Sequence, residues 1–317
     1  MTRLQRWIEW WNAYWFPTTP AVNLAAVRII AVAAQMYWLL PLRQYNINLA
    51  SKNADFIDPQ FLVRVVTAVV PRDVAFTPAT LTAIYWVTMA AGLLALVGFL
   101  TRASVFVFAT GVLVSISHLY SYADVHHRQA LFAIFLMLLP FAPSGARLSV
   151  DALLRRRRDD VSARDDLTDT AVWPLRLLHV LLAITYFSTG MAKVLSGGLA
   201  WMNGHTLQQY IFSDAVTTGL PLGIWLAQHY VLCVILAVFT ILFELGFVAS
   251  LFLPRLAPLF FASAIGFHIS LYVTSGHPFF EHIVMNAILL LFLDRDWLPR
   301  LLNRAPATPP PALRTAT

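Results

Sequence analysis

The chain has 317 residues, 59% hydrophobic and only 12% charged, with a mean hydropathy of +0.67. A soluble protein of this length carries about a quarter of its residues as Asp, Glu, Lys and Arg, so the composition excludes a water-soluble globular domain. The net charge of +6 implies no nucleic-acid partner, because the cytoplasmic loops of membrane proteins gather lysine and arginine anyway.

The first residues, MTRLQRWIEWWNAYWFP, break every apolar run with charges and tryptophans, which argues against a cleavable signal peptide. Trp7, Trp10, Trp11, Tyr14 and Trp15 predict instead an amphipathic helix within residues 1–20, lying in the headgroup zone. Residues 21–293 then hold eight apolar segments, at 23–42, 79–100, 103–120, 127–142, 173–194, 224–252, 256–274 and 280–293. Most approach the roughly 20 residues that a helix needs to cross a bilayer; the fourth and eighth are short. Long connections occupy 43–78, 143–172 and 195–223. Residues 294–317 are proline-rich and are expected to form a disordered tail. The predicted fold class is all-α: a polytopic membrane bundle of about eight transmembrane spans with an N-terminal interfacial helix.

Eight spans place both termini on one side. Fifteen of the 22 basic residues fall on that side: in the amino-terminal segment, the 143–172 link, the tail and the short turns, with Arg176 at the start of the fifth span. The positive-inside rule makes that side cytoplasmic, in a plasma (inner) membrane protein whose first partner is the lipid bilayer. The single cysteine, Cys233, excludes an intramolecular disulfide and a CxxC redox or zinc site.

This orientation sorts the ionisable residues by depth. His118, His126, His127, His205, His268, His277 and His282, seven of nine histidines, collect on or near the outer face. Arg28, His179 and Glu244 fall in the inner halves of the first, fifth and sixth spans. Ionisable groups are costly in a bilayer and face a protein interior or a wet cavity, so Arg28 and Glu244 are expected to form a structural ion pair. In the fifth span His179, Tyr186, Gly190 and Lys193 are spaced seven, four and three residues apart, which makes one helical stripe. Lys193, at its outer margin, either snorkels to water or, desolvated, serves as a base.

HPFFEH, at 277–282, superficially looks like a zinc-protease signature. Its histidines are five apart with Pro278 between them, whereas HExxH places them four apart on one helical face. No metal is expected. GxSxG, GxxxxGK[ST] and dinucleotide fingerprints do not occur.

Four stretches carry a family resemblance: LAAVRIIAVAAQMYWL, DVHHRQALFAIFLMLLPFAPSGARLSVDALL, YFSTGMAKVLSGGLAWMNGHTLQQYI, and FELGFVASLFLPRLAPLFFASAIGFHISLYVTSGHPFFEHIVMN. In this order they resemble the horizontally transferred transmembrane (HTTM) domain, the membrane part shared with vitamin K-dependent γ-carboxylase. The resemblance implies that a lysine in a Tyr-Phe-x-x-Gly-x-x-Lys run takes a proton from vitamin K hydroquinone. The hydroquinone reacts with O2 to give a strong base and the epoxide, the base abstracts a glutamate γ-proton, and CO2 adds to the carbanion. YFSTGMAK places Lys193 on that base. DVHHRQALF places His127 on a histidine proposed to assist carboxylation, and GFHISLYV places His268 on another histidine of the membrane core. Ala192 stands where the carboxylase carries a second lysine, and no segment after residue 293 resembles its lumenal domain.

The expectation is therefore an HTTM enzyme with an external-side pocket, in which Lys193, His127 and His268 are catalytic and Tyr186, His126, His205 and His282 line the pocket. Its cofactors would be a reduced, lipid-soluble quinone of vitamin K or menaquinol type, with O2 and CO2. A secreted peptide or a small molecule would be its substrate. The alternative is a non-catalytic maturation or chaperone partner for a secreted peptide. A small-molecule carrier ranks below both, since carriers place their sites at the midplane.

Overall fold

A computed structural model of the chain describes residues 2–52, 57–122, 127–159 and 167–303. Thr2 starts helix α1 (Arg3–Trp15) with a capping box: its hydroxyl accepts from Gln5 N at 3.3 Å, and its own N–H donates to Gln5 Oε1 at 2.8 Å. None of α1 is buried, and its rings stack along the helix, Trp7 on Trp11 and Trp10 on Tyr14. Thr19–Pro20 (β1) then leads into α2 (Val22–Ala50), whose 29 residues reach roughly 44 Å at 1.5 Å per residue. This helix runs well past the expected end at residue 42, because Pro41 sits inside it without ending it.

Two short helices, α3 (Phe61–Thr67) and α4 (Arg72–Ala75), fold the first long connection around Val63, Ala75, Phe76 and Leu81. Helix α5 (Pro78–Val97) begins with proline at its first position and Thr77 accepting from Thr80 N. It ends at Gly98, whose φ of +69° is the left-handed conformation that closes a helix. Helix α6 (Thr101–Tyr120) follows, then α7 (His127–Leu138), which tightens into a 3-10 turn at Leu139–Phe141.

Helix α8 (Val150–Asp159) supplies the cap that α6 lacks in its own sequence. Asp151 accepts from Leu100 N at 2.9 Å, Thr101 N at 2.7 Å and the Thr101 hydroxyl at 2.7 Å. Burial raises the Asp151 carboxyl, but these hydrogen bonds and nearby Arg155 outweigh it and hold the group below its ordinary range. Leu167–Thr168 (β2) pairs antiparallel with β1, a two-residue ladder in an otherwise helical chain.

The second half comprises α9 (Trp173–Gly197), a 3-10 turn at Gly198–Asn203, α10 (His205–Thr218), α11 (Pro221–Ala227) and α12 (Tyr230–Gly246). Then come α13 (Ala249–Phe252), α14 (Ala257–Ser275), α15 (Phe280–Phe292) and α16 (Trp297–Asn303). The segment expected as one span over 224–252 is thus broken before Tyr230, where His229 Nδ1 and Trp225 O lie 2.7 Å apart. Residues 297–303 are helical, and the remainder of the expected disordered tail lies outside the described residues.

Among the described residues six helices are long and apolar enough to cross a membrane: α2, α5, α6, α9, α12 with its continuation, and α14. Two shorter apolar helices, in α7 with its 3-10 turn and in α15, complete the set of eight apolar segments. Helices α2, α5, α6 and α7 pack together, as do α9, α12, α14 and α15, and α15 also touches α2 and α7. Phe108, Phe132, Phe135, Leu136 and Phe247 fill the interior, while Trp86, Val97, Ile184, Leu195, Ile235 and Leu242 project outward. Outward apolar side chains in this number suit lipid as the surrounding solvent.

Candidate functional site

Helices α9 and α12 run antiparallel and in close contact. Gly190 makes the approach possible: a Cβ there would lie 2.9 Å from Glu244 Cβ and 3.1 Å from Leu245 Cδ2. Further along the same seam Tyr186 packs on Phe247, with ring centroids 4.5 Å apart, and His179 Nε2 lies 2.8 Å from Ser250 Oγ.

Above Gly190, Lys193 Nζ donates to both Glu244 oxygens, at 2.8 and 2.7 Å. The Glu244 side chain is 5% exposed and the Lys193 side chain 27%. Side chains on a helix lean toward its N-terminus. On antiparallel helices Lys193 therefore leans back into the bundle while Glu244 leans out to meet it. The indole of Trp201 flanks the ammonium, with Nζ 5.6 Å from the ring centroid.

This pair corrects two expectations. Lys193 does not snorkel; it turns inward onto a carboxylate. Glu244 does not pair with Arg28. Arg28, fully buried, donates to Ser144 O and Leu148 O at 2.6 Å each, tying α2 to the turn before α8. Counting from the helix ends put Lys193 at an outer margin and Glu244 in an inner half. The axial offset between α9 and α12 brings them level.

Beside the pair lies a buried polar cluster. Asn286 Nδ2 donates to Tyr186 Oη at 3.0 Å and to His282 O at 2.8 Å. Tyr186 Oη lies 2.9 Å from His268 Nε2. The tyrosine oxygen, accepting from Asn286, still has its own proton and a second lone pair, so it donates to His268 Nε2 or accepts from it according to the imidazole tautomer. The ring of His282 lies 4.9 Å from that of His268.

A cavity of about 520 Å³ takes in Lys193, Glu244, Tyr186, His268 and His282, with Phe267, Leu271 and Leu207 among its apolar walls. That volume falls in the roughly 300–1,000 Å³ range of small-molecule sites. Asp214 and His277, 2.9 Å apart, stand in its more exposed wall.

Four of the seven sequence-derived site residues, Lys193, Tyr186, His268 and His282, are therefore brought together. His205 is not among them: it stacks on Tyr230 at 4.8 Å and lines a different surface depression. His126 lies outside the described residues, and His127 opens α7 with its side chain outside them too. His118 is a packed structural group, 2.9 Å from Asn46 Oδ1 and stacked on Phe76. In HPFFEH, Glu281 lies 3.9 Å from Arg128 Nε, while His282 lines the cavity. Among the described residues no three His, Cys, Asp or Glu side chains are grouped to hold a metal ion.

Glu244 and Asn286 are the functional candidates that the sequence reading did not assign to the site. Each is an isolated polar residue in an apolar run, which was the available signal.

A bundle of long apolar helices with an ion pair and imidazoles opening into an internal cavity defines a multi-pass membrane protein with a polar pocket. The HTTM domain model matches residues 16–297, and the chain belongs to that family, which is linked to vitamin K-dependent carboxylase-like membrane proteins. No protein of curated function and no solved structure matches it.

Proposed function

We propose that this chain is a membrane enzyme that takes a proton from a reduced, lipid-soluble quinone at the Lys193–Glu244 pair and modifies a secreted peptide or small substrate in the same cavity. The observation that carries this reading is the position of the pair, doubly hydrogen-bonded and set in the wall of a largely apolar cavity. The apolar walls suit a fused-ring head, and the polar end suits its hydroxyl. When bound, such a quinol with O2 supplies the strong base, and CO2 is the electrophile that the family likeness favours.

Both groups line the cavity; Nζ passes a proton to a Glu244 oxygen through the existing hydrogen bond, and the neutral amine so formed takes the proton of the donor hydroxyl. The ammonium left facing the cavity then neutralises the negative charge on the donor oxygen. Tyr186, held by Asn286, orients the ring of His268, which also lines the cavity. The pair also corrects the idea of a lone desolvated lysine, because base and counter-charge form one unit. Activity in the plasma membrane, with the pocket facing outward and both termini cytoplasmic, belongs to this proposal.

The test is mass spectrometry of secreted peptides, with quinol oxidation followed in parallel, from cells making wild type, Lys193→Ala or Glu244→Gln at equal membrane levels. Product with wild type and its loss in Lys193→Ala is the expected result. Full product formation by both Lys193→Ala and Lys193→Arg would remove the proton-accepting role.

A further inference from the structure

A second cavity, of about 320 Å³, opens at the other end of α9, beside Arg176 and His179. Its polar wall carries three guanidinium groups, Arg176, Arg255 and Arg295, against one carboxylate, Asp294. That carboxylate is already engaged, with Arg176 Nη2 2.8 Å from Asp294 Oδ1. The other face of Arg176 covers the ring of Tyr14, its Cζ 4.4 Å from the centroid. Arg255 and Arg295 are exposed, and neither has a carboxylate within 4 Å among the described residues. The cavity therefore holds two positive charges that nothing else in it balances.

Two further features narrow what would balance them. The remaining lining is apolar, including Leu251, Phe261 and Leu290, so the ligand has an apolar part as well as a charge. Tyr14 belongs to α1, whose exposed tryptophans mark the depth of a membrane headgroup layer. Basic pockets between transmembrane helices at that depth receive phosphate headgroups.

We propose that this cavity binds a phosphate-bearing anion between Arg255 and Arg295, supplied either by the headgroup of an acidic phospholipid or by a free phosphate compound. Arg176, held by Asp294 and Tyr14, forms the fixed floor of the site. The Leu251–Leu290 wall takes the first part of an acyl chain when the source is a lipid.

The test uses the purified full chain in a neutral detergent, with native mass spectrometry as the readout. The probes are phosphatidylglycerol, phosphatidylcholine and inorganic pyrophosphate. Wild type is expected to retain phosphatidylglycerol in preference to phosphatidylcholine. Arg255→Gln and Arg295→Gln should each weaken retention about fivefold, and the double variant roughly 25-fold. Arginine-dependent binding of pyrophosphate that displaces phosphatidylglycerol would identify a free phosphate compound as the natural source. Equal retention of the two lipids, or unchanged phosphatidylglycerol binding in the double variant, would overturn the site. Both arginines are exposed, so unaltered thermal unfolding of the variants is the control that the fold persists.

Discussion

Removing the lysine and removing the glutamate of the Lys193–Glu244 pair should cost different amounts, although the same hydrogen bonds are lost. Lys193→Met strands a carboxylate whose side chain is 5% exposed, and an uncompensated buried charge costs about 3–5 kcal/mol. Glu244→Leu strands an ammonium whose side chain is 27% exposed and which keeps the face of Trp201. Its cost should stay near the lower part of the range for a polar group losing its partner, about 1–2 kcal/mol. The double variant Lys193→Met/Glu244→Leu removes both charges and should return to within about 1 kcal/mol of wild type. The resulting coupling, at least about 3 kcal/mol, lies at or above the upper end for residues in contact. Equilibrium SDS unfolding in mixed micelles, followed by tryptophan fluorescence, measures all four proteins. A Lys193→Met cost under about 1 kcal/mol, or simple additivity of the two single changes, would show that the pair is not the buried ion pair described here.

Gly190→Ala places a methyl group 2.9 Å from Glu244 Cβ, so α9 and α12 must separate. The same unfolding assay should show a loss of about 1–3 kcal/mol, and a silent substitution would contradict the close approach. Arg28→Met combined with Glu244→Gln should be additive within about 0.5 kcal/mol, because the two residues have separate partners; strong coupling would restore the ion pair rejected above. Asp151 titrates lower in the folded state than in the unfolded chain, so its cap is in place above about pH 4 and is lost as pH falls through the folded value. Asp151→Asn should therefore flatten the acid limb of the stability profile below about pH 4, and an unchanged acid limb would contradict the cap.

Much of the fold was legible because a bilayer leaves a chain few options. Apolar runs near 20 residues must be helical, since no water is present to satisfy the backbone. The aromatic comb of α1 was legible for the same reason, as a pattern of side chains against a known solvent. Element ends were less so. The first apolar segment ends at residue 42, yet α2 continues to Ala50, and the segment read as one span over 224–252 breaks at the polar Gln228–His229 pair, where His229 Nδ1 meets Trp225 O.

The sequence by itself determined the membrane class, the family likeness and the stripe from His179 to Lys193, because helical periodicity fixes which residues share a face. Gly190 could be read as a point of close approach, though not against which helix. Tertiary structure alone decided partners. It gave Glu244 to Lys193 and left Arg28 to two backbone carbonyls, and it set Tyr186 between Asn286 and His268. It also separated His205 from the cavity that holds the other described candidates. The reason is geometric: periodicity specifies rotation about one helix axis. Which charges meet depends on the neighbour and the axial offset between two helices, and packing around Gly190 sets both.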